Sequence, residues 1–377
     1  MKKKCFKWAS ILLSCLFLSG CWDYRGLDTL DIATGMAVDK DPNSGNYLTT
    51  MEIVDTRAGG EEIRAIYVES QGETLFDAIR NSKRKLIDKI YGGNLQTIII
   101  SKQIAETEGV DAILEQLLRD GEPRETLTVA ISQEDTAGEI LLAEGLDSEI
   151  IAYEIHEMVI EDSTITASTK NTALYETYEA LYGVGNALVL PVVRCVKNTD
   201  QIVTESYGIA LFKGDRLIGF DHAQNSMLYL FMVDELEGGV ISFSMDSEDD
   251  LVSTEIKRSQ TSVDVSIVEG VVHVSVQVKT KLHVTELKSQ VDISSFSERG
   301  KLEARAGEVL QERIAGYFKY AQAQFKTDIF GLGNQVYQKD PDLWRSIENE
   351  WDSMFQNAVL EVQAQADILT AGVLKNY

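Results

Sequence analysis

Residues 263–284 read V-D-V-S-I-V-E-G-V-V-H-V-S-V-Q-V-K-T-K-L-H-V, and this stretch decides the fold class. Val263, Val265 and Ile267 alternate with polar residues up to the dipeptide Glu269-Gly270. A period of two puts every second side chain on one face of a sheet, and a short glycine-containing interruption is typical of a hairpin turn. The stretch therefore predicts two long antiparallel strands. The apolar members of the second strand are Val272, Val274, Val276, Val278, Leu282 and Val284.

The remainder of the C-terminal half adds helices and one more strand. A long helix is predicted from Ser297 to Phe325, and a second helix starts at Asp340-Pro341, where proline suits the first helical position. Between them lies Thr327–Gly333, whose two glycines can supply positive φ at a helix end. Residues 360–368 alternate again and predict a closing strand.

The N-terminal half mixes strands and helices. Strands are predicted at Leu30–Val38, Tyr47–Val54, Arg64–Ser70, Gln96–Ile100 and Thr126–Ile131. Helices are predicted at Glu73–Ile90 and Val110–Leu118. Because the first strands alternate as in an antiparallel sheet, the order favours a multi-domain α+β fold, with mostly antiparallel sheets packed with helices and a long helix in the C-terminal half.

A domain boundary is predicted near residue 198. Pro191 and the polar stretch Lys197–Asp200 interrupt the apolar pattern there. We therefore expect an N-terminal α+β domain over 30–198 and a C-terminal α+β domain over 199–377. Residues 134–182 are mostly helical in pattern and are a candidate helical subdomain within the first domain.

The predicted helix Glu73–Ile90 carries the densest cationic cluster of an otherwise acidic body. Its apolar residues recur after eleven positions, about three turns, and so share one face. The cations fall on the other face, and two readings stay open: a solvated surface, or a contact with lipid headgroups or an acidic partner. The cationic residues are Arg80, Lys83, Arg84, Lys85 and Lys89.

The N-terminus has the pattern of a bacterial lipoprotein signal. Four lysines precede an apolar run, Trp8–Leu18, which is too short to span a bilayer. Leu18–Cys21 then matches the pattern in which small residues precede a cysteine that receives a thioether-linked diacylglycerol and, after cleavage, an N-acyl chain. We expect residues 1–20 to be removed, Cys21 to be acylated and residues 21–29 to form a tether. The alternative is an ordinary secretory signal with a chance cysteine.

Lipid on Cys21 would anchor the exported body to the outer face of the cell membrane, because two or more acyl chains hold firmly where one binds reversibly. Trp22 suits the headgroup level, where an indole buries its ring and keeps its N–H hydrated. The formal net charge is −25, and removal of the signal peptide, with four lysines and no acidic residue, leaves −29. That charge excludes nucleic acid as an expected partner.

Catalytic and cofactor motifs do not emerge from the sequence. The four histidines lack the spacing of a zinc site, and neither a P-loop nor a Gly-x-Ser-x-Gly motif is present. Of the four cysteines, Cys5 and Cys15 leave with the signal peptide and Cys21 is modified, so only Cys195 remains. We therefore expect no disulfide and interpret Cys195 as a buried thiol rather than a nucleophile. We expect neither enzyme activity nor a bound metal or cofactor.

Several of these stretches resemble the Ger(x)C family, the lipoprotein C subunits of the nutrient germinant receptors of bacterial spores. The matches run in order along nearly the whole mature chain, and two positions, Gly26 and Asn94, depart from the family pattern. The matching stretches are Gly20–Arg25, Ile32–Asp39, Gly72–Arg80, Tyr91–Ile100, Gly208–Gly219 and Thr327–Gly333.

The resemblance implies a non-enzymatic subunit on the outer face of the spore inner membrane. It would act in spore germination with a multi-span A subunit and a permease-like B subunit. Besides the basic residues and Trp22, we single out the Thr327–Gly333 turn as a candidate partner contact, through Asp328, Phe330, Gly331 and Gly333. The rivals are a solute-binding lipoprotein of a transporter, which needs two lobes of βαβ units around a cleft, and an exported cell-wall hydrolase, which needs a carboxylate pair or a metal site.

Overall fold

The fold is taken from a computed structural model, which describes residues 29–55, 63–245, 250–288, 293 and 295–369. The predicted signal peptide, Cys21 and Trp22 lie outside these residues. Two mixed β-sheets packed with helices make up the described chain. Among these described residues, no helix combines the length and the apolar character that a membrane span needs. The predicted α+β class is confirmed.

The first sheet contains nine strands among the described residues and has the order β3-β2-β1-β5-β6-β7-β8-β9, with β4 paired to β1. Its centre, β1-β5-β6-β7, is parallel, and antiparallel pairs flank it on both sides. The five strands predicted in the N-terminal half are all present, within two residues at each end. The strands are β1 Leu30–Lys40, β2 Tyr47–Val54, β3 Ala65–Gly72, β4 Lys89–Tyr91, β5 Thr97–Ile100, β6 Thr128–Ser132, β7 Val189–Asn198, β8 Gln201–Lys213 and β9 Arg216–His222.

The central strands are apolar on both faces because helices cover both faces. Ile98 and Ile100 of β5 point into one core, and Ile99 between them points into the other. Burial on both faces is why such strands appear in the sequence as continuous apolar runs. The helices of this half are α1 Leu75–Ser82, α2 Lys102–Thr107, α3 Asp111–Arg119, α4 Gly138–Leu141, α5 Ile151–Ile165 and α6 Leu174–Tyr182. Helices α1, α2, α3 and α6 contribute to the first core, and α4 and α5 to the second.

The predicted helix Glu73–Ile90 is wrong beyond Lys85. Helix α1 begins after Thr74, whose side chain accepts the N–H of Asp77, and ends at Ser82. A 3₁₀ turn follows over Lys83–Lys85, and the chain then extends into β4. Strand pairing to β1 captures residues 89–91, so the helix cannot continue. The apolar residues of the eleven-residue recurrence do not share one buried face: Leu75 is buried, whereas Phe76 is 45% and Ile87 is 77% exposed.

The second sheet has the order β10-β11-β12-β13 and is built around the hairpin predicted from residues 263–284. Val263, Val265 and Ile267 pair with Val276, Val274 and Val272, so the apolar residues of both strands share one face. Glu269 and Gly270 form the turn, both with positive φ, as tight hairpins require. The strands are β10 Val240–Ser244, β11 Leu251–Val268, β12 Val271–Leu287 and β13 Val359–Ile368.

The predicted long helix is α8, Phe296–Gln324, with 29 residues. It packs on the apolar face of the second sheet, where Leu302, Leu310 and Ile314 join the valines of β12 in one core. The remaining helices are α7 Ala223–Met232, α9 Leu332–Lys339, α10 Pro341–Ile347 and α11 Trp351–Gln356.

Strand β8 connects the two halves. Its residues Ala210 and Phe212 belong to the core of the first sheet, whereas Ile209 and Leu211 belong to the core of α7, α8 and the second sheet. The division predicted at residue 198 falls at the turn between β7 and β8, and β7 pairs with β8 along its whole length in the first sheet. The boundary near residue 198 between two independently folding domains stays a prediction.

Candidate functional site

Residues 80–89, here called the basic segment, end beside the start of β1, where the described chain enters the first sheet. Lys89 pairs with Leu30, the first residue of β1, and the N–H of Asp88 donates to Asp31 Oδ2 at 3.2 Å. Because of these contacts, the end of the segment lies next to the end of the predicted tether. Nine positions separate Cys21 from Leu30.

The five predicted cations lie in this one segment but have different roles. Lys83 donates to the carbonyls of Leu86 and Ile87 at 2.9 and 2.8 Å, and so holds the turn that ends α1. Lys85 donates to the carbonyl of Glu69 at 2.7 Å. Arg80 lies over the Phe76 ring, 4.8 Å from its centroid. The structure does not place these side chains on one helix face, because the helix ends at Ser82.

Among the five cations, Lys89 and Arg84 differ most in their contacts with the rest of the protein. Lys89 makes an ion pair with Glu122 at 2.6 Å. Burial acts against ionisation of Glu122, but the hydrogen bonds from Lys89 and from the N–H of Gly92 keep its pKa below the usual value. Arg84 is exposed and has no ion pair within the described ranges. Together with the exposed Ile87, it forms the outermost part of the segment.

A cavity of about 160 Å³ lies behind the basic segment, between α1, α3 and the sheet. Met36, Met51 and Leu117 form part of its apolar wall. Arg80, Lys83, Lys89, Asp120 and Glu122 also line it. No sequence pattern identifies this cavity, because its walls come from five separate elements that only the tertiary fold brings together.

The Thr327–Gly333 turn is organised around the buried carboxylate of Asp328. It accepts hydrogen bonds from the N–H of Phe330 at 3.0 Å, the N–H of Gly333 at 2.9 Å and Trp351 Nε1 at 3.0 Å. Burial raises the pKa of Asp328 despite these donors. The three bonds close the turn and join it to α11.

One of the two glycines of this turn has positive φ. Gly331 has a left-handed backbone, with φ 70°, and precedes α9. Gly333 has a helical backbone, and a glycine fits there because two tryptophan rings leave no space for a Cβ. A Cβ on Gly333 would lie 2.6 Å from the Trp344 ring and 3.1 Å from Trp351 Nε1. The left-handed residue that follows α8 is Lys326, not a glycine.

The turn also connects the two halves of the chain. The N–H of Asn334 donates to the carbonyl of Gly185 at 2.9 Å, and its side chain donates to the carbonyl of Val184 at 2.8 Å. Phe330 packs against the rings of Phe318 and Tyr317 in the core, with centroids 5.7 and 5.9 Å apart. Contact of the turn with a partner stays a prediction, and the burial of Asp328, Phe330 and Gly333 argues against direct contact through these three residues.

His156 and Cys195, which were considered as a metal ligand and a nucleophile, make contacts with neighbouring residues of the fold. His156 Nδ1 lies 2.8 Å from Thr128 Oγ1, and burial lowers its pKa. Cys195 is a half-buried free thiol, and burial, with Glu134 and Glu139 nearby, raises its pKa to about 11. In the part of the chain that the structure describes, no group of three or more His, Cys, Asp or Glu is placed to hold a metal ion.

Comparison with known proteins identifies two adjoining family matches. Residues 23–195 match the spore germination protein N-terminal domain, and residues 207–372 match the spore germination B3/GerAC-like C-terminal domain. Spore germination protein KC of Bacillus subtilis (strain 168) is 21% identical over 100% of this chain and 98% of its own length. Spore germination protein B3 of the same organism is 23% identical over 99% of both chains. The crystal structure of the GerBC protein has the same fold, with a TM-score of 0.56 at 18% identity, and the match covers 92% of this chain and 100% of that one.

Proposed function

Because the chain belongs to the Ger(x)C family of spore germination proteins, we propose that it is the lipid-anchored, non-enzymatic subunit of a nutrient germinant receptor. The observation that carries this proposal is that germination proteins match both halves of the chain over nearly their full length. A role in germination follows from those relatives. The receptor complex, with a multi-span A subunit and a permease-like B subunit, is the finer step that we propose.

Anchoring rests on the position of Cys21. It lies nine positions before β1, so an extended tether spans at most about 30 Å, and the folded body must stay close to the bilayer. Each buried methylene contributes about 0.8 kcal/mol, so several acyl chains hold the body firmly on the outer face of the membrane. In a spore this would be the inner membrane.

The basic segment supports an orientation of the body on that membrane. Its last cation, Lys89, pairs with the first residue of β1, where the tether ends, while the mature chain is strongly acidic overall. An anionic lipid surface attracts a local cationic cluster by about 1 kcal/mol per residue and repels the rest of the body. We propose that Arg84 and Ile87 face the headgroups and Trp22 lies among them.

The tethered body would act through contacts with its neighbours. A partner shifts a conformational equilibrium only if it binds one state more tightly than the other. A subunit held at the membrane surface could favour one state of a membrane-spanning partner in this way, with no chemical step of its own.

A deletion strain tests the receptor role. Its spores should fail to respond to one class of nutrient, germinate normally with others, and recover when the wild-type chain is restored. Co-purification of the acylated protein with membrane subunits, followed by crosslink mapping, would identify the partners. Normal responses to every nutrient, combined with loss of cortex hydrolysis, would contradict the receptor role and support a hydrolase.

Two further measurements test for hydrolase activity and for the lipid anchor. Purified protein should release no product from cell-wall material, and mass spectrometry should find Cys21 acylated. The two-lobed transporter lipoprotein needs a second parallel βαβ lobe, whereas the second sheet here is built around the antiparallel strands β10, β11 and β12.

A further inference from the structure

We propose that the cavity between α1, α3 and the first sheet binds a small apolar carboxylate that also carries an N–H or O–H donor. An α-amino or α-hydroxy acid with an apolar side chain has this chemistry. The inference rests on the size of the cavity, its apolar wall, a guanidinium beside it and a buried acceptor that lacks a donor. It does not depend on the receptor role.

The size of the cavity limits the ligand. Its volume of about 160 Å³ is below the usual range for drug-sized ligands, which is roughly 300–1,000 Å³. A dry apolar cavity of about 150 Å³ holds a molecule as large as benzene. The wall formed by Met36, Met51, Ile79 and Leu117 therefore suits a hydrocarbon group of about four to six carbons.

Arg80 supplies the site for the carboxylate. Its side chain is exposed, and its guanidinium lines the cavity and stacks on Phe76. It makes no ion pair among the residues that the structure describes, but its charge helps to lower the pKa of Glu122, which also lines the cavity. A planar guanidinium binds a carboxylate through two parallel N–H donors, and a charge-assisted bond of this kind is about twice as strong as a neutral one. Lys89 is less suited to this task because it is paired with Glu122.

Gln116 supplies the second polar contact. This residue of α3 lines the cavity, and its Oε1 is buried without a donor in the described part of the chain. A buried acceptor without a donor is unfavourable, and a ligand N–H or O–H would remove that penalty. Asp120, also in the lining, favours a cationic ammonium over a neutral hydroxyl as that donor.

The experiment uses three matched probes and the mature chain carrying Cys21→Ser, studied without detergent so that no acyl chain competes for the cavity. L-Leucine has all three chemical features, 4-methylpentanoate lacks the amino group, and 3-methylbutylamine lacks the carboxylate. The readout is the NMR signal of the methionine methyl groups. Met36 and Met51 line the cavity, whereas Met232 lies in the other core and serves as the internal reference.

We expect L-leucine to shift the Met36 and Met51 signals and leave Met232 unchanged. Each truncated probe should bind about tenfold more weakly, in line with one lost charge-assisted bond. Arg80→Gln should weaken L-leucine about tenfold and leave 3-methylbutylamine unchanged. Arg84→Gln is the matched control, because it removes a neighbouring exposed cation that is not part of the lining.

Three results would overturn the proposal. The first is that no probe shifts Met36 or Met51 at the highest soluble concentration. The second is that Arg80→Gln and Arg84→Gln affect L-leucine equally. The third is that 4-methylpentanoate binds as tightly as L-leucine, which would remove the role of Gln116. None of these results bears on membrane anchoring, so they leave the receptor role to its own tests.

Discussion

Glu52 of β2 accepts the backbone N–H of Ile151 at 2.7 Å and so caps helix α5, 99 residues further along the chain. The same carboxylate, 0% exposed, accepts the N–H of Ala152 at 3.1 Å and the hydroxyl of Thr34 at 2.8 Å. Because the first N–H groups of a helix lack partners within the helix, a buried carboxylate placed there both satisfies them and complements the helix dipole. Asp39 of β1 does the same for α4 through the N–H groups of residues 137 and 138.

Glu52→Gln should destabilise the folded chain by about 1–3 kcal/mol, because the amide NH₂ would face an N–H donor that needs an acceptor. Denaturant unfolding measures this difference. Glu157→Gln, on the exposed side of α5, is the matched control and should change the free energy of unfolding by less than about 0.5 kcal/mol. Equal effects of the two variants would show that the cap contributes nothing.

The same residue predicts a pH dependence. Burial raises the pKa of Glu52 and outweighs the hydrogen bonds to its carboxylate. The folded state therefore keeps a proton at pH values where the unfolded chain has lost it, so this contribution is complete below the unfolded pKa of about 4.3 and is lost as the pH rises through the folded pKa. The stability difference between the wild type and Glu52→Gln should shrink as the pH rises over that window, and a difference that grows would contradict this sign.

Gly333→Ala should destabilise the chain by about 1–3 kcal/mol, because the added Cβ collides with the Trp344 ring at 2.6 Å. Gly316→Ala is the control: it lies in α8 with nothing within 4 Å of an added Cβ, and it should stabilise by roughly 0.5–1 kcal/mol through helix propensity. Thermal unfolding distinguishes the two. If both substitutions stabilise the chain, the side chains of Trp344 and Trp351 can move to make room for the added Cβ, and the expected collision is absent.

Cys195 should react slowly with thiol reagents in the folded state. With its pKa raised to about 11, its thiolate fraction at pH 8 is about two orders of magnitude below that of a thiol with the usual pKa near 8.5. The rate of reaction with a chromogenic disulfide, followed against pH, measures this in the Cys21→Ser chain. The rate should climb up to about pH 11 in the folded protein, while the protein unfolded in urea should level off near the ordinary value. A folded-state plateau near pH 8.5 would refute the shift.

Arg84→Glu should weaken binding of the unacylated Cys21→Ser chain to vesicles containing phosphatidylglycerol by about tenfold at low salt, since a charge reversal removes one attraction and adds one repulsion. Lys279→Glu, an exposed cation on β12 away from the tether, is the control and should have little effect. Pure phosphatidylcholine vesicles should bind every variant weakly, and high salt should abolish the difference. Equal losses for the two variants would contradict the proposed orientation.

Ile87→Asn should also weaken vesicle binding, because the exposed isoleucine would lose its contact with the acyl boundary. Ile202→Asn removes an isoleucine of β8 that is 48% exposed and serves as the control. Sedimentation with vesicles measures both. Tighter or unchanged binding by Ile87→Asn would place this loop away from the bilayer.

Local patterns predicted much of the fold. Alternation is enough to define the β11–β12 hairpin, because each apolar residue needs only its strand partner and one helix to be buried. Strand β2 was predicted with its observed bounds, Tyr47–Val54. The helix predicted at Glu73–Ile90 is wrong beyond Lys85, because residues 89–91 pair with β1 as a strand and the local apolar pattern carries no signal of that long-range pairing.

The candidate site was predicted only in part. The positions of the cations along the sequence identify the cluster but not the role of each residue, since Lys83 and Lys85 bond to backbone carbonyls that no sequence pattern specifies. No sequence pattern identifies Gln116 as a candidate binding residue. Its unpaired oxygen matters only because α1 and α3 enclose a cavity around it.

The sequence by itself predicts a lipoprotein-type signal, and it determined that the body is acidic and that alternating strands and a long helix build an α+β fold. These features depend on neighbours along the chain. Only the tertiary structure decided which carboxylates cap distant helices, which strand joins the two cores, and where a guanidinium and an unpaired amide oxygen line one cavity. Such contacts join residues tens to hundreds of positions apart, so their free energy depends on the packed fold rather than on any local pattern.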